Sequence, residues 1–263
     1  MSDYLSKGQL SHLQRLLVAF FSLPYSTDLD GKDAETLLKI AKGLDGTEKS
    51  KRKELFDIVY KRVGYSVKTL RKKKTCVRVD LQEQRFCDVK KLQEMHLSGQ
   101  ATPEKQGALL LGYMQERIDS AMKKRDVIAA RSLVLLKDWD KMRETYSFIY
   151  WEEDFQKFIH TLVDRNKKGE IEWVLPGAGL HGRDKLREDS EGKSVRLIRV
   201  HFKHNQIFTD HDIPANAHRF ELKIKRRTWE EISRIVEVEF DKVSGQPKLT
   251  IDTTKHGTLV END

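Results

Sequence analysis

The chain has 263 residues, of which 34% are charged and 38% are hydrophobic, and its formal net charge is +8. This composition excludes a disordered tail, because enough apolar residues are present to bury a core, and the sequence has no apolar run long enough to cross a membrane. The apolar stretch 16–21 is short and lacks a basic leader, so we expect no secretory signal. Two cysteines, Cys76 and Cys87, are too few for a disulfide scaffold or a zinc site, and we expect a reducing cytoplasm.

Amphipathic helices and short strands are predicted for the first third of the chain. Leucines and phenylalanines spaced three and four residues apart predict a helix over 5–21, which ends before Pro24. A second helix is predicted over 32–42, with Gly43 as its cap. The apolar period then changes to two and indicates three strands, at 56–60, 65–70 and 77–79.

The rest of the chain is predicted to be helical at first and β-rich later. Helices are predicted at 81–97, 103–125 and 153–163, and a strand at 146–151. The apolar run 127–136 fits either a helix or a buried strand. Later strands are interrupted by a Gly- and charge-rich segment, 176–193, that we expect to be a mobile loop. The fold class is therefore α/β or α+β, with a helix-rich part at 1–165 and a β-rich part at 166–263.

Positive charge is concentrated in residues 49–75, here called the basic segment. It holds eleven Lys and Arg residues against two acids, a balance of +9 that exceeds the balance of the whole chain. Clustered cations displace condensed counterions from a polyphosphate, so the segment predicts contact with nucleic acid, although a solvated lysine-rich surface is the alternative. The candidate DNA-binding residues are Lys61, Arg62, Arg71, Lys72, Lys73 and Lys74, together with Arg183 and Arg187 in the later loop, which would fold over DNA.

The strands on either side of residues 61–64 are predicted to form a hairpin that carries a polar trio. With a four-residue loop, Asp57 faces Lys68 across the strands, and Ser66 lies on the same face two residues before Lys68. An Asp and a Lys placed in this way are typical of metal-dependent phosphodiesterases, in which the Asp binds Mg²⁺ and the Lys orients or deprotonates the attacking water. Glu35, at the edge of the apolar face of the second helix, is the candidate second acid of the metal shell.

A family resemblance is carried by the sequence VGYSVKTL, which contains Ser66 and Lys68. It resembles the catalytic strand of bacterial type II restriction endonucleases of the PD-(D/E)xK nuclease superfamily, in the variant where Ser replaces the usual acid. The resemblance covers about residues 30–75. It implies a mixed β-sheet core flanked by helices, and Mg²⁺-dependent cleavage of both strands of double-stranded DNA at a short sequence by a homodimer.

The same resemblance assigns roles to four residues. Asp57 would be a metal ligand and Lys68 the catalytic lysine. Ser66 would occupy the degenerate acid position, and Glu35 would be the helical acid. Two departures from the superfamily's motif are that no Pro precedes Asp57 and that Ser66 cannot act as a carboxylate ligand.

Two other interpretations stay open. In the last third of the chain, Asp212 is followed by Glu221 and Lys223, which is a more orthodox nuclease pattern, although an Ile-Pro pair typical of a turn follows Asp212 directly. Alternatively, Asp57 and Lys68 form an exposed cross-strand ion pair. The chain would then be a non-catalytic nucleic-acid-binding protein that uses the basic segment.

Overall fold

The structure is a computed structural model that describes residues 5–24, 26, 28–44, 55–88, 90–91, 94, 102–140, 144–177, 179–233, 236–240 and 247–251. Its α-helices are α1 (Lys7–Ser22), α2 (Gly31–Lys42), α3 (Pro103–Lys124), α4 (Phe155–Lys167) and α5 (Trp229–Ser233). Its strands are β1 (Ile58–Tyr60), β2 (Val63–Arg71), β3 (Arg78–Gln82), β4 (Ala129–Asp140), β5 (Thr145–Asp154), β6 (Ile171–Val174), β7 (Gly179–Glu188), β8 (Ser194–His201), β9 (Gln206–Asp212), β10 (His218–Lys223), β11 (Val236–Phe240) and β12 (Pro247–Ile251). The protein is therefore of mixed α and β class, which confirms the predicted fold class.

The first two helices begin and end at residues that satisfy their free backbone groups. Ser6 and Gln9 form a capping box at the start of α1, in which each side chain accepts a hydrogen bond from the other residue's backbone N–H. Asp30 caps the start of α2, and Gly43 ends it in the left-handed conformation with φ of 67°. The predicted glycine cap is confirmed, and these caps fix the position of Glu35 on α2.

Sheet A contains β1, β2, β4, β5 and β10 in that spatial order. Its neighbours pair antiparallel except for β2 and β4, which are parallel. A parallel pair needs a crossover connection, and here the connecting chain carries β3 and α3. The apolar run 127–136, which the sequence left open, enters strand β4, whose residues 133–136 are buried.

Sheet B is antiparallel and contains β3, β9, β8, β7 and β6 in that order, while β11 and β12 form a separate hairpin. The prediction of a loop over 176–193 is wrong for most of that segment, because β7 pairs with β6 on one side and β8 on the other. A Cβ at Gly182 would lie 2.9 Å from Ile198 and 3.0 Å from Trp173. This glycine therefore marks close packing within a sheet and not a flexible loop.

Sheet A is the middle layer of the fold. Leu133 shares a core with α1 and α2, while its neighbour Val134 shares a core with Leu81 of sheet B. Because neighbouring residues of a strand point to opposite faces, the helices and sheet B cover opposite faces of sheet A. Helices α3 and α4 share a third core with the inner face of sheet B, which includes Ile198 and Ile207.

Both sheets contain strands from each side of residue 165. Strand β3 pairs with β9 in sheet B, and β10 pairs with β5 in sheet A. The boundary predicted between 1–165 and 166–263 therefore does not separate the two sheets.

The helix predicted to start at residue 81 does not begin there. The short strand predicted at 77–79 is confirmed and extends to Gln82, and a 3-10 helix follows at Gln84–Phe86. This part of the chain pairs with β9 as a strand instead, because Val79 and Leu81 then point into a core between the sheets. Residues 89, 92–93 and 95–101 of the predicted helix lie outside the described residues.

Candidate active site

The turn of the predicted hairpin is shorter than the sequence suggested. Tyr60 lies opposite Val63, so the turn consists of Lys61 and Arg62 alone, and their φ angles are 46° and 63°. Two left-handed residues are typical of a type I′ turn, whose twist matches the flanking strands. The prediction of a four-residue loop is therefore wrong. The Arg62 side chain lies 2.7 Å from the carboxylate of Asp126, which holds the turn against the start of β4.

The shorter turn moves the strand register by two residues. Ile58 lies opposite Tyr65, so Ser66, and not Lys68, is the residue beside Asp57. A shift of two residues keeps every position on its predicted face. The predicted cross-strand pair of Asp57 and Lys68 is replaced by a separate partner for each residue.

Asp57 is engaged at both carboxylate oxygens. Oδ2 accepts a hydrogen bond from the backbone N–H of Val67 at 2.8 Å, and Oδ1 contacts the guanidinium of Arg85. Arg85 also donates to the backbone carbonyl of Leu55 at 2.6 Å. Burial lowers the pKa of Arg85 to about 10, although the charge of Glu35 opposes that change. Asp57 is thus held by a partly desolvated cation that the sequence did not indicate.

Lys68 pairs with a carboxylate that the sequence analysis missed. Its Nζ donates to Glu83 Oε2 at 2.9 Å and to the carbonyl of Gln82 at 2.8 Å. The side chains of Lys68 and Glu83 are only 11% and 2% exposed. Glu83 lies in the segment predicted as a helix, which hid its position. The signal in the sequence is that Glu83 continues the alternation of Val79 and Leu81, so an acid takes a place on an apolar strand face.

The other two predicted site residues, Glu35 and Ser66, lie on different elements, α2 and β2. Glu35 is half-buried on α2, and burial raises its pKa, while the charge of Arg85 partly offsets the effect. Ser66 is buried and lies opposite Ser132 in the parallel ladder of β2 and β4. We call Glu35, Asp57, Lys68, Glu83 and Arg85 the hairpin cluster. It joins three acids and two cations from α2, the hairpin and the segment after β3.

A chain of buried polar groups leads away from Glu83. Thr209 donates to Glu83 Oε1 at 3.2 Å, and His211 Nε2 lies 2.8 Å from the Thr209 hydroxyl. His211 Nδ1 lies 2.7 Å from Glu153 Oε2, and the imidazole stacks on Phe158. Thr209 and His211 are buried, whereas the Glu153 side chain is 24% exposed. The chain links the Lys68 and Glu83 pair to a carboxylate that water reaches.

The side chains as placed do not fit a magnesium ion. Among the described residues, no group of three or more His, Cys, Asp or Glu side chains lies close enough to hold a metal. Arg85 and Val67 occupy the oxygens of Asp57, and Lys68 and Thr209 occupy those of Glu83. Glu35 and Asp57, the predicted ligands, share Arg85 as a neighbouring cation, and both oxygens of Asp57 are already engaged.

The alternative catalytic pattern is distributed over both sheets. Asp212 ends β9 in sheet B, where it pairs with Arg78 at 3.0 Å and with Arg187 at 2.7 Å. Glu221 lies on β10 in sheet A, together with Lys223, and accepts a hydrogen bond from Lys74 at 3.1 Å. The acids of this pattern are thus engaged by different cations on different sheets.

The basic segment does not form one surface. The exposed residues Lys61 and Arg62 lie at the start of β2, whereas Arg71 and the lysines at 72–74 follow its end. Arg71 is nine residues after Arg62, a distance of about 30 Å at 3.3 Å per residue along the strand. The four cations at 49–53 lie outside the described residues. Among the described residues, the exposed cations of the segment therefore form two separate groups.

Comparisons with known proteins identify no relative. No protein-family model, no curated protein and no solved structure matches the chain. Within the described part of the chain, every helix is too short or too polar to cross a membrane.

Proposed function

We propose that the chain is a sequence-specific endonuclease that hydrolyses phosphodiester bonds in double-stranded DNA, with the hairpin cluster as its catalytic centre. The observation that carries the proposal is the buried pair of Lys68 and Glu83 beside Asp57. Glu83 supplies the carboxylate that the sequence lacks at Ser66. With one cluster for each DNA strand, the proposal includes a homodimer. We place its activity in a reducing cytoplasm. Mg²⁺ is the ion that the resemblance implies.

The energetics of the cluster support a functional role. Burying an ion pair removes water from two charges, and the Coulombic attraction often only balances that penalty. Apolar residues of similar volume would stabilise the fold as well or better at Lys68 and Glu83. A buried ion pair that the fold does not need for stability is a candidate for a functional role. The mixed sheet with α1 and α2 against one face also agrees with the core that the resemblance implies.

The chemistry needed for hydrolysis is available from these side chains. A water oxygen attacks phosphorus, the bond from phosphorus to one ester oxygen breaks, and the water gives up a proton. Lys68 would stabilise the negative charge that accumulates on the phosphate oxygens. The Glu83 carboxylate, 2.9 Å from Lys68 Nζ, positions the Lys68 side chain, and the proton that the water gives up leaves to solvent, since Lys68 and Thr209 occupy both oxygens of Glu83.

Arg85 is the member of the cluster that a phosphate reaches first. Its side chain is 23% exposed, compared with 13% for Asp57 and 11% for Lys68. A guanidinium can bind two phosphate oxygens at once, which suits it to position the backbone. No step is assigned to Mg²⁺, because other groups already occupy the carboxylate oxygens of Asp57 and Glu83.

Cleavage of supercoiled plasmid tests the proposal directly. We expect the wild-type protein to convert unmethylated plasmid into discrete fragments, and a parallel reaction with Mg²⁺ chelated shows whether the ion that the resemblance implies takes part. Lys68→Ala should reduce the rate by at least about a hundredfold, since it removes the charge that stabilises the transition state. Lys223→Ala is the matched control, because it removes the lysine of the alternative pattern and should cut at the wild-type rate.

A folded variant that lacks the ion pair of Lys68 and Glu83 distinguishes loss of catalysis from loss of structure. Lys68→Met combined with Glu83→Gln removes both charges together and leaves no buried charge unpaired. It should bind DNA with little change and fail to cut. Wild-type cleavage by this variant would contradict the proposal, as would loss of cutting in Lys223→Ala alone.

A second candidate function is non-catalytic binding of nucleic acid. It is favoured by the occupied carboxylates of Asp57 and Glu83 and by the exposed cations at both ends of β2. The same assay separates the two functions. Retention of plasmid in a gel, with no cleavage under any divalent ion, would support binding alone.

A further inference from the structure

The outer face of sheet B is strongly charged. On β9, Thr209 and His211 are buried towards sheet A, so Phe208 and Asp210 lie on the opposite, outer face. Asp80 on β3 lies opposite Asp210 and shares that face. This surface is therefore separated from the hairpin cluster by the thickness of the sheet.

A β-bulge brings two arginines to one point on this face. The pairing of β7 with β8 passes from Gly182 opposite Ile198 to Arg183 opposite Arg196, so Leu197 is an extra residue. In a regular strand, Arg196 and Arg199 would point to opposite faces. Both instead contact the carboxylate of Asp80, at 2.9 Å and 3.2 Å. Bulges often redirect side chains beside binding sites.

Two adjacent carboxyl groups lie under these arginines. Arg196 bridges Asp80 and Asp210, and its distance to Asp210 is 2.6 Å. Burial, and then the neighbouring Asp80, raises the pKa of Asp210 to about 6. Burial also acts against ionisation of Asp80, but the hydrogen bond with Asp210 and the charges of Arg196 and Arg199 outweigh it and lower its pKa. Asp210 therefore neutralises less of the arginine charge only as the pH falls to about 6 and below.

A cavity of about 320 Å³ opens beside this pair. Its charged lining consists of four cations and two acids beside His181: Arg78, Arg183, Lys193, Arg196, Asp189 and Asp210. The Asp189 carboxylate accepts hydrogen bonds from the backbone N–H groups of Glu191 and Lys193. Arg78 pairs with Asp212 and Lys193 with Glu191. Arg183 is half-buried, and it has no carboxylate partner among the described residues.

The imidazole in the cavity responds to the surrounding positive charge. Burial, and then the charges of Arg196 and Arg183, lower the pKa of His181 to about 4. His181 is therefore neutral at pH 7 and available as a hydrogen-bond donor or acceptor. The two arginine charges that contribute to this shift are also favourable for an anion.

We propose that this cavity is a second ligand site that binds a phosphate group, with Arg183 as the principal contact. A half-buried guanidinium without a carboxylate suits the oxygens of a phosphate, to which it can donate two parallel hydrogen bonds. The volume exceeds that of one phosphate and is at the lower end of small-ligand pockets, so a nucleoside can follow the phosphate. The ligand is either a free mononucleotide or a phosphate of a nucleic acid. The site does not depend on the proposed nuclease activity, because it lies on the other face of sheet B.

Calorimetric titration of the full chain tests the site with three probes: inorganic phosphate, deoxyadenosine 5′-monophosphate and a short DNA duplex. We expect saturable binding that Arg183→Gln weakens by about tenfold or more, since a charged hydrogen bond is lost. Lys185→Gln is the matched control on the same strand, because Lys185 is exposed and does not line the cavity. It should bind within about twofold of the wild type.

The results distinguish the sources of the phosphate. Binding of the mononucleotide indicates a small-molecule site, whereas binding of the duplex alone, with the same dependence on Arg183, indicates a nucleic-acid contact. The pKa of His181, followed by NMR, should rise on binding in either case. Absence of saturable binding to all three probes would overturn the proposal, and so would equal loss in Arg183→Gln and Lys185→Gln.

Discussion

Replacing Lys68 alone with Met is expected to destabilise the protein strongly. Glu83 is 2% exposed, and Lys68 is the cation that pairs with its Oε2 at 2.9 Å. Removing one partner of a buried ion pair leaves the other charge uncompensated, which costs about 3–5 kcal/mol of unfolding free energy. At roughly 2–4 °C per kcal/mol for a chain of this size, Tm should fall by about 6–20 °C.

The double variant separates the pair from the rest of the fold. When Glu83→Gln accompanies Lys68→Met, no charge is left buried, and the Gln oxygen still accepts the hydrogen bond from Thr209. The double variant should recover most of the lost stability, to within about 1 kcal/mol of the wild type. Urea unfolding, followed by tryptophan fluorescence with the slope m compared between variants, measures both effects. A single variant that loses less than about 1 kcal/mol, or a double variant as unstable as the single one, would refute the reasoning.

Three further predictions follow from local geometry. Replacing Lys61 and Arg62 by Asn and Gly should stabilise the protein by about 1 kcal/mol in urea unfolding, since Asn and Gly suit the left-handed turn and the exposed ion pair of Arg62 contributes little. A loss of stability would argue against the two-residue turn. The folded-state pKa of Asp210 is raised to about 6, so its stabilising contribution is present below the unfolded value near 3.8 and is lost as the pH rises to 6. Asp210→Asn should remove that part of the pH dependence in unfolding measurements, and an unchanged profile would count against the raised pKa. Arg183→Gln should raise the pKa of His181 measured by NMR without ligand, and a constant value would mean that Arg183 lies farther away.

Helices with clear ends could be predicted from the sequence. The amphipathic period and Gly43 placed α2 within one residue, because a left-handed glycine ends a helix whatever its tertiary surroundings. The segment 176–193 forms strand β7 over most of its length, although its glycines and charges are typical of a loop. In the fold, Gly182 is required by the side chains of Trp173 and Ile198, and the charge of Asp184 is buried against Arg165.

The candidate site could be predicted only in part. The face shared by Asp57, Ser66 and Lys68 followed from strand alternation, but the register did not, since Lys61 and Arg62 lack the usual signals of a two-residue turn. Glu83 directly follows β3 of the other sheet, so its contact with Lys68 depends on packing between the sheets, which spacing along the chain does not reveal. The bulge at Leu197 is similarly invisible in the period of apolar residues.

Catalysis by the hairpin cluster is tested most directly by the single-turnover cleavage rate of the Lys68→Met, Glu83→Gln double variant at saturating enzyme. Under these conditions every DNA molecule is bound, so differences in affinity do not affect the rate. We expect the wild type to cut both strands with Mg²⁺ present and the folded double variant to leave bound DNA intact. Cutting by the double variant at the wild-type rate would contradict the assignment of catalysis to the hairpin cluster.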